Sequence, residues 1–593
     1  MKLLNCNSTQ KKCFVSSIQH ESQMNSYPPD TKVAGRMLTL GDVTGEILVC
    51  SEGLSFWGGV DPNTGVVIDI HHPCYQQIIS GKVLMMPSSR GSCSGSGVLL
   101  ELSFKNIAPA AIIFCEDEEI LSLGALVSEH IFNKPLPVAR LTKKHYNTLS
   151  NAKSASIQGN KIITENYTYE LNIIEPTGLN LTDTDREYLK GKYGSAAKIG
   201  MQIICLMAAA NDTTTLIDIQ KGHIDGCILA HSANLIFAEK MVELGAQVSV
   251  PTTINAISVD RENWLSQKIP EDFGNQASRL ADAYVKMGAK SVFTCAPYLL
   301  EERPEFGEII GWSESNAVIY ANSILGARTS KNPDYLDLFI AMTGRAPESG
   351  VYTDDGRIAQ KIISVEIPDI EPDDVFWPII GWLAGKASPN QIPIITGLEN
   401  LSPEPDDLKS LCAAFGTTSG APMLHISGQT PEANLPVAPK AKMHIIDIES
   451  LTLAWQELNQ AETSIDLVAI GSPHASFEEV EKINSYFSNR KCHSNTNMII
   501  TVGRQTLSLL KQAKIYHTLI QSGVQVIADI CWCSITEPVF PPQARHIITN
   551  SGKYAHYAYG LSGRHARLAS LRDCVEAAVS GIAPKTPPSW LEK

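Results

Sequence analysis

The chain has 593 residues, 44% apolar and 19% charged, with a mean hydropathy near zero, which is the composition of a globular protein long enough for several domains. A net charge of −14 with no long basic run argues against a nucleic-acid surface. No apolar run reaches the roughly 18 residues that a membrane-spanning helix needs. The 14 cysteines are scattered singly, which fits a reducing, cytoplasmic compartment with thiols free for metal or catalysis.

Residues 1–31 are polar, lack the apolar core of a secretory signal, and read as a disordered extension. From 32 to 142 short strand patterns and Gly-rich turns predict a small β-rich domain, with an apolar strand over 110–114 and a helix from Glu119. Residues 143–178 are polar and mixed, as in a linker. At Thr182 an N-cap with Asp185 three residues on predicts a helix start. Strand and helix patterns then alternate over 179–593, which implies βα units and parallel sheets, in subdomains of about 179–440 and 441–593. In the second, strands at 464–470, 497–502 and 524–530 alternate with helices at 476–487 and 505–521. Ligands in such sheets bind at the strand C-terminal ends.

Several loops at such ends carry chemistry-bearing residues. Val526-Ile-Ala-Asp-Ile runs into Cys531-Trp532-Cys533, whose i, i+2 spacing puts both thiols on one face if the segment is extended. The plain alternative is two packed thiols. Cys295 follows the apolar run 289–293 and has the same alternative. Ser88-Ser-Arg-Gly-Ser-Cys-Ser-Gly-Ser offers hydroxyls and backbone N–H groups able to surround an anion, or is simply a flexible turn. Phe415-Gly-Thr-Thr-Ser-Gly reads as a Gly-flanked hydroxyl loop, and His474 and Lys553 follow strands. There is no Cys-x-x-Cys, His-Glu-x-x-His, P-loop or Gly-x-Ser-x-Gly.

Taken in order, these loops resemble the aconitase X family in the form that fuses its small and large subunits. Phe56-Trp-Gly-Gly-Val-Asp-Pro-Asn-Thr-Gly, His71-His-Pro and the 88–96 loop resemble the small, swivelling subunit. Pro251-Thr-Thr-Ile-Asn, Cys295-Ala-Pro-Tyr, Trp312-Ser-Glu-Ser-Asn, Asn322 through Thr329, Thr430-Pro-Glu-Ala and Thr549-Asn-Ser-Gly-Lys resemble the large one. The likeness runs over about residues 33–580 and implies an α/β, aconitase-like fold. It also implies an iron–sulfur cluster, [2Fe-2S] or [4Fe-4S], and a hydro-lyase activity on a small hydroxy acid.

By that resemblance Ser92, which follows Gly91, is the base, with Ser94 the runner-up, and Arg90 stabilises developing charge. Many members carry a Cys where this chain has Ser472; here Cys533 is added beyond Cys531. The implied cluster ligands are therefore Cys295, Cys531 and Cys533. Asn322, Arg328 and Thr329 are expected at the substrate carboxylate, with Asp61, His71, Thr417 and Thr418 also in the substrate site. The fused form and Gly-Ser-Pro-His point to the branch that dehydrates cis-3-hydroxy-L-proline, as a monomer. The alternatives are mevalonate 5-phosphate as substrate, or an iron-sensing, RNA-binding protein.

Overall fold

The computed structural model describes residues 33–69 and 72–591, so the expected N-terminal extension (1–31) and His71 lie outside the described residues. Residues 33–173 build one mixed nine-stranded sheet, ordered Thr168–Glu170, Lys161–Ile163, Ser154–Gln158, Asp42–Val49, Val83–Met85, Ala111–Phe114, Val138–Leu141, Gly35–Thr39 and Asn172–Ile173. Asp42–Val49 alternates between exposed and half-buried positions, whereas Ala111–Phe114 (Ala-Ile-Ile-Phe) is buried throughout and pairs in parallel on both sides. The stretch expected as a linker is part of this sheet. It forms a helix at Lys143–Leu149 and then antiparallel strands that extend the edge beside Asp42–Val49. Their pattern is too short and too polar to announce a strand, and pairing with the existing edge supplies what the sequence lacks.

Beyond this unit the Thr182–Asp185 capping box forms as expected. Three parallel arrangements follow. Thr252–Ile254, Lys221–Ile224 and Ile310–Trp312 make a three-stranded sheet, and His425–Ile426, Pro393–Thr396, Ala359–Val365 and Val437–Ile446 a four-stranded one. The last sheet runs Val524–Ala528, Asn497–Val502, Leu467–Ile470, His546–Thr549 and His565–Leu568, all parallel. Its apolar, β-branched strands are buried on both faces. The strand order reverses direction between Leu467–Ile470 and His546–Thr549, which opens a crevice at their C-terminal ends.

Local boundaries differ from expectation where the chain takes a left-handed turn. The expected helix over 505–521 is two helices, Arg504–Gln512 and Ile515–Gln521, broken at Lys514 with φ of 63°. The apolar run 289–293 forms no strand and ends at Phe293 with φ of 43°. Among the described residues no helix is long and apolar enough to cross a membrane.

Candidate active site

The last strand of the third sheet, Val524–Ala528, ends in Asp529, which has φ of 71° and a fully buried carboxylate. That carboxylate accepts the Arg261 N–H at 3.1 Å and is paired with Arg504. The Asp529 carbonyl accepts Ile257 N–H at 2.8 Å, which fastens this strand end to the 251–261 segment. The chain then turns rather than running on extended: Ser534 N–H closes onto the Cys531 carbonyl at 2.9 Å. Trp532 is thereby driven into the core, its Nε1–H donating to Ile470 O at 2.7 Å, while Cys531 and Cys533 turn the other way. The thiols come together through a turn, not through the i, i+2 alternation of a strand.

Cys295 joins them. Cys531 hydrogen-bonds both Cys295 and Cys533, so the three thiols form a string with Cys531 in the middle. His474 locks the two loops to each other. Its Nε2–H donates to Ile530 O at 2.9 Å, which leaves Nδ1 to accept from the Thr294 hydroxyl at 3.1 Å. Burial holds this ring neutral, at about 4, and its backbone N–H donates to Cys295 Sγ at 3.3 Å. Hydrogen bonding inside the trio, with burial, pushes the Cys533 thiol up, whereas Lys553 pulls it down. A string of three thiols beside one ammonium suits a cluster, whose irons are separate ligation points, better than a single ion, which needs its ligands to converge.

Cys533 lines a cavity of about 70 Å³ shared with Ser92 and Ser94, and with Asp225, Glu314, Asn316, Thr417, Lys553 and Tyr557. Ser92 and Ser94 stand at the start of the helix Gly95–Phe104, where Ser94 N–H donates to Ser92 Oγ at 3.3 Å. The N–H groups of Gly95, Gly97 and Val98 donate to the Ser92 and Ser94 carbonyls, so the helix start offers Ser92 the Ser94 N–H and the helix dipole. Across the cavity Lys553 and Glu314 pair at 2.8 Å. Burial alone would raise the Glu314 carboxyl, but the Lys553 ammonium and two Asn side chains bring it down to about 2. Asp225 goes the other way: burial, then Asp334 and Glu314, push it well above the ordinary carboxylate range, so it keeps its proton.

Several expected residues are elsewhere. Arg90 does not line the cavity; it is half-exposed and pairs with Glu52 at 3.2 Å and Asp69 at 3.5 Å. Asn322 is consumed by the fold, its Nδ2 donating to Thr329 O and Pro422 O and its Oδ1 accepting Thr329 N–H. Thr329 Oγ1 accepts the Trp312 N–H at 3.0 Å, and Arg328 pairs with Asp354 at 2.5 Å, so none of the three is free for a substrate carboxylate. Asp61 caps its own turn by accepting from Thr64 at 2.7 Å and Asn63 at 2.9 Å. Residues 415–418 are the end of the helix Pro405–Thr418 rather than a loop; Thr417 reaches the cavity, and Thr418 donates to Trp382 O instead. Glu314 and Asp225 were not singled out from sequence, although Glu314 sits within the quoted Trp312-Ser-Glu-Ser-Asn.

Four family models tile the chain: an aconitase X swivel domain at 32–165, first domain at 178–355, second domain at 359–463 and third domain at 465–580. This chain belongs to the aconitase X family. It is an enzyme, a hydro-lyase. The models divide the large part in three, where two subdomains are expected from sequence; the first holds a two-stranded and a three-stranded sheet, and the second and third one sheet each. Among aconitase X relatives, the chain is 44% identical over 95% of its length to a cis-3-hydroxy-L-proline dehydratase of Pseudomonas aeruginosa, covering 99% of that protein. It is 41% identical to one from Hypocrea jecorina, covering 98% of it. The crystal structure of Thermococcus kodakaraensis aconitase X (holo-form) superposes with a TM-score of 0.61 at 28% identity, over 68% of this chain and all of that one.

Proposed function

We propose that this protein dehydrates cis-3-hydroxy-L-proline to Δ1-pyrroline-2-carboxylate, working as a single fused chain, a monomer, in the cytoplasm. The observation that carries the reading is that Ser92 and Cys533 line one cavity, with the Glu314–Lys553 pair between the elements that bring them there. The relatives at 41–44% identity carry that activity in their names.

Cys295, Cys531 and Cys533 would hold an iron–sulfur cluster, and their thiol protons would leave on binding. When bound, the cluster supplies a Lewis-acidic iron with an open position for the substrate's oxygens. The substrate is a zwitterion. Glu314 offers a carboxylate to its ring ammonium, and Lys553 offers an ammonium to its carboxylate. Ser92 takes the Cα proton, its oxyanion favoured by Ser94 N–H, which already donates to Ser92 Oγ. The C3–O bond breaks, and the hydroxyl departs as water with the proton that Asp225 holds. The resulting enamine tautomerises to the cyclic imine. A dianionic phosphate fits poorly here, because Lys553 is the one Lys or Arg on the cavity wall among the described residues and already faces Glu314.

The test is turnover of cis-3-hydroxy-L-proline and mevalonate 5-phosphate by anaerobically purified protein with iron and sulfide counted. Activity on the hydroxyproline is expected. Ser92→Ala should lower kcat by roughly 10²–10⁴-fold at unchanged iron content, and Cys533→Ala should lose the cluster. Turnover of the phosphate alone, or full cluster occupancy in Cys533→Ala, would overturn the assignment.

A further inference from the structure

Among the described residues, the His/Cys/carboxylate group whose ligand atoms all lie within 4.8 Å of one another is not the active-site trio but Cys50, His72 and Cys74, all buried. Cys50 directly follows the strand Asp42–Val49, and His72 and Cys74 sit in the loop that leads on to Val83–Met85. In the metal-free structure His72 Nδ1 accepts Cys74 N–H at 3.1 Å and Nε2 lies 3.5 Å from Glu52 O, so a metal would replace one of these two contacts of the ring. Cys74 Sγ donates to Val49 O at 3.6 Å, back toward Cys50. None of the three lines the catalytic cavity.

We propose that Cys50, His72 and Cys74 form a second, structural metal site in the swivel domain, and that its ion is zinc. Two thiolates and an imidazole within 4.8 Å of one another are the borderline-soft ligand set that zinc takes, and water completes the fourth position. Binding replaces two thiol protons with two zinc–sulfur bonds, releases those protons to solvent, and changes no oxidation state. The ion would pin the 50–76 loop at both ends. That loop carries Trp57, on the cavity wall, and Glu52 and Asp69, which hold Arg90 next to Ser92. The site is thus a staple for the segment that positions the base, not a second centre of chemistry.

The experiment is zinc, iron and sulfide analysis of the intact holoenzyme, purified under reducing conditions without chelator and then exposed to zinc chloride. It is paired with zinc-edge X-ray absorption, which iron does not obscure. One zinc per chain with a shell of two sulfurs and one or two nitrogen or oxygen atoms is expected. The double substitution Cys50→Ser/Cys74→Ser should remove the zinc and leave iron and sulfide unchanged, and His72→Gln should weaken zinc binding at least tenfold. If the double variant fails to fold, the sulfur count in the wild-type spectrum still decides. Absence of bound zinc, a three-sulfur shell that places zinc on the cluster cysteines, or a Cys50–Cys74 disulfide under reducing conditions would each overturn the proposal.

Discussion

At the level of single residues, the Glu314–Lys553 pair has the largest expected consequence. Lys553 is buried and Glu314 nearly so, and each remains charged because the other is 2.8 Å away. Removing one partner strands the other charge in a low-dielectric cavity, which costs roughly 3–5 kcal/mol, whereas removing both leaves no charge to strand. Glu314→Gln and Lys553→Met should therefore each lower stability by about that amount in denaturant unfolding, and the double variant by clearly less than their sum. Additive losses would show that the pair is not coupled. The same residues explain what was legible from sequence. Thiols are recognisable by type, and Cys295, Cys531 and Cys533 follow strand patterns, but it is the family resemblance that singles these three out among the 14 cysteines. Asn322, Arg328 and Thr329 have the right chemistry for a carboxylate too, but the fold spends their hydrogen bonds internally, and composition does not record where a side chain's partners are.

At the level of elements, the cavity wall depends on two helices in close contact. A Cβ on Gly381, in the helix Phe376–Ala387, would lie 2.1 Å from Leu411 O of the helix Pro405–Thr418, and backbone cannot yield as a side chain does. The second helix carries Ala413, Gly416 and Thr417 into the cavity. Gly381→Ala should thus push these helices apart, lowering stability by about 1–3 kcal/mol and raising KM more than it lowers kcat, as steady-state kinetics and thermal unfolding would show. An unchanged KM would mean the wall tolerates the shift. Elements with continuous apolar runs, such as Asn497–Val502, were readable because a buried parallel strand writes itself as β-branched residues. The 415–418 segment was not: Gly and Thr are poor helix formers, and tertiary packing against Gly385 and Trp382 overrides that preference.

At the level of the whole molecule, the swivel domain delivers Ser92 only while it stays seated on the first domain. The seat is polar. Glu101 accepts Ser232 Oγ at 2.8 Å and Ala233 N–H at 2.8 Å, capping the helix Ser232–Glu243 across the boundary, and Ser96 Oγ donates to Asp334 O. Asp334 also places its carboxyl against Ser94, Asp225 and Asp337, where burial, then the Asp337 charge, raises it to about 8. Because this folded-state value lies above the ordinary 3.8, the stability Asp334 contributes is fully present below 3.8 and is lost progressively until pH reaches about 8. The closed arrangement should then loosen as pH rises between those two values: the melting temperature should fall toward pH 8 and level off beyond it, and amide exchange over 91–97 should quicken beyond its intrinsic pH dependence. Asp334→Asn, which keeps the shape and cannot ionise, should flatten both trends. If that variant keeps the wild-type slope, the pH response belongs to another carboxylate, with the Asp225–Asp337 pair the next to substitute.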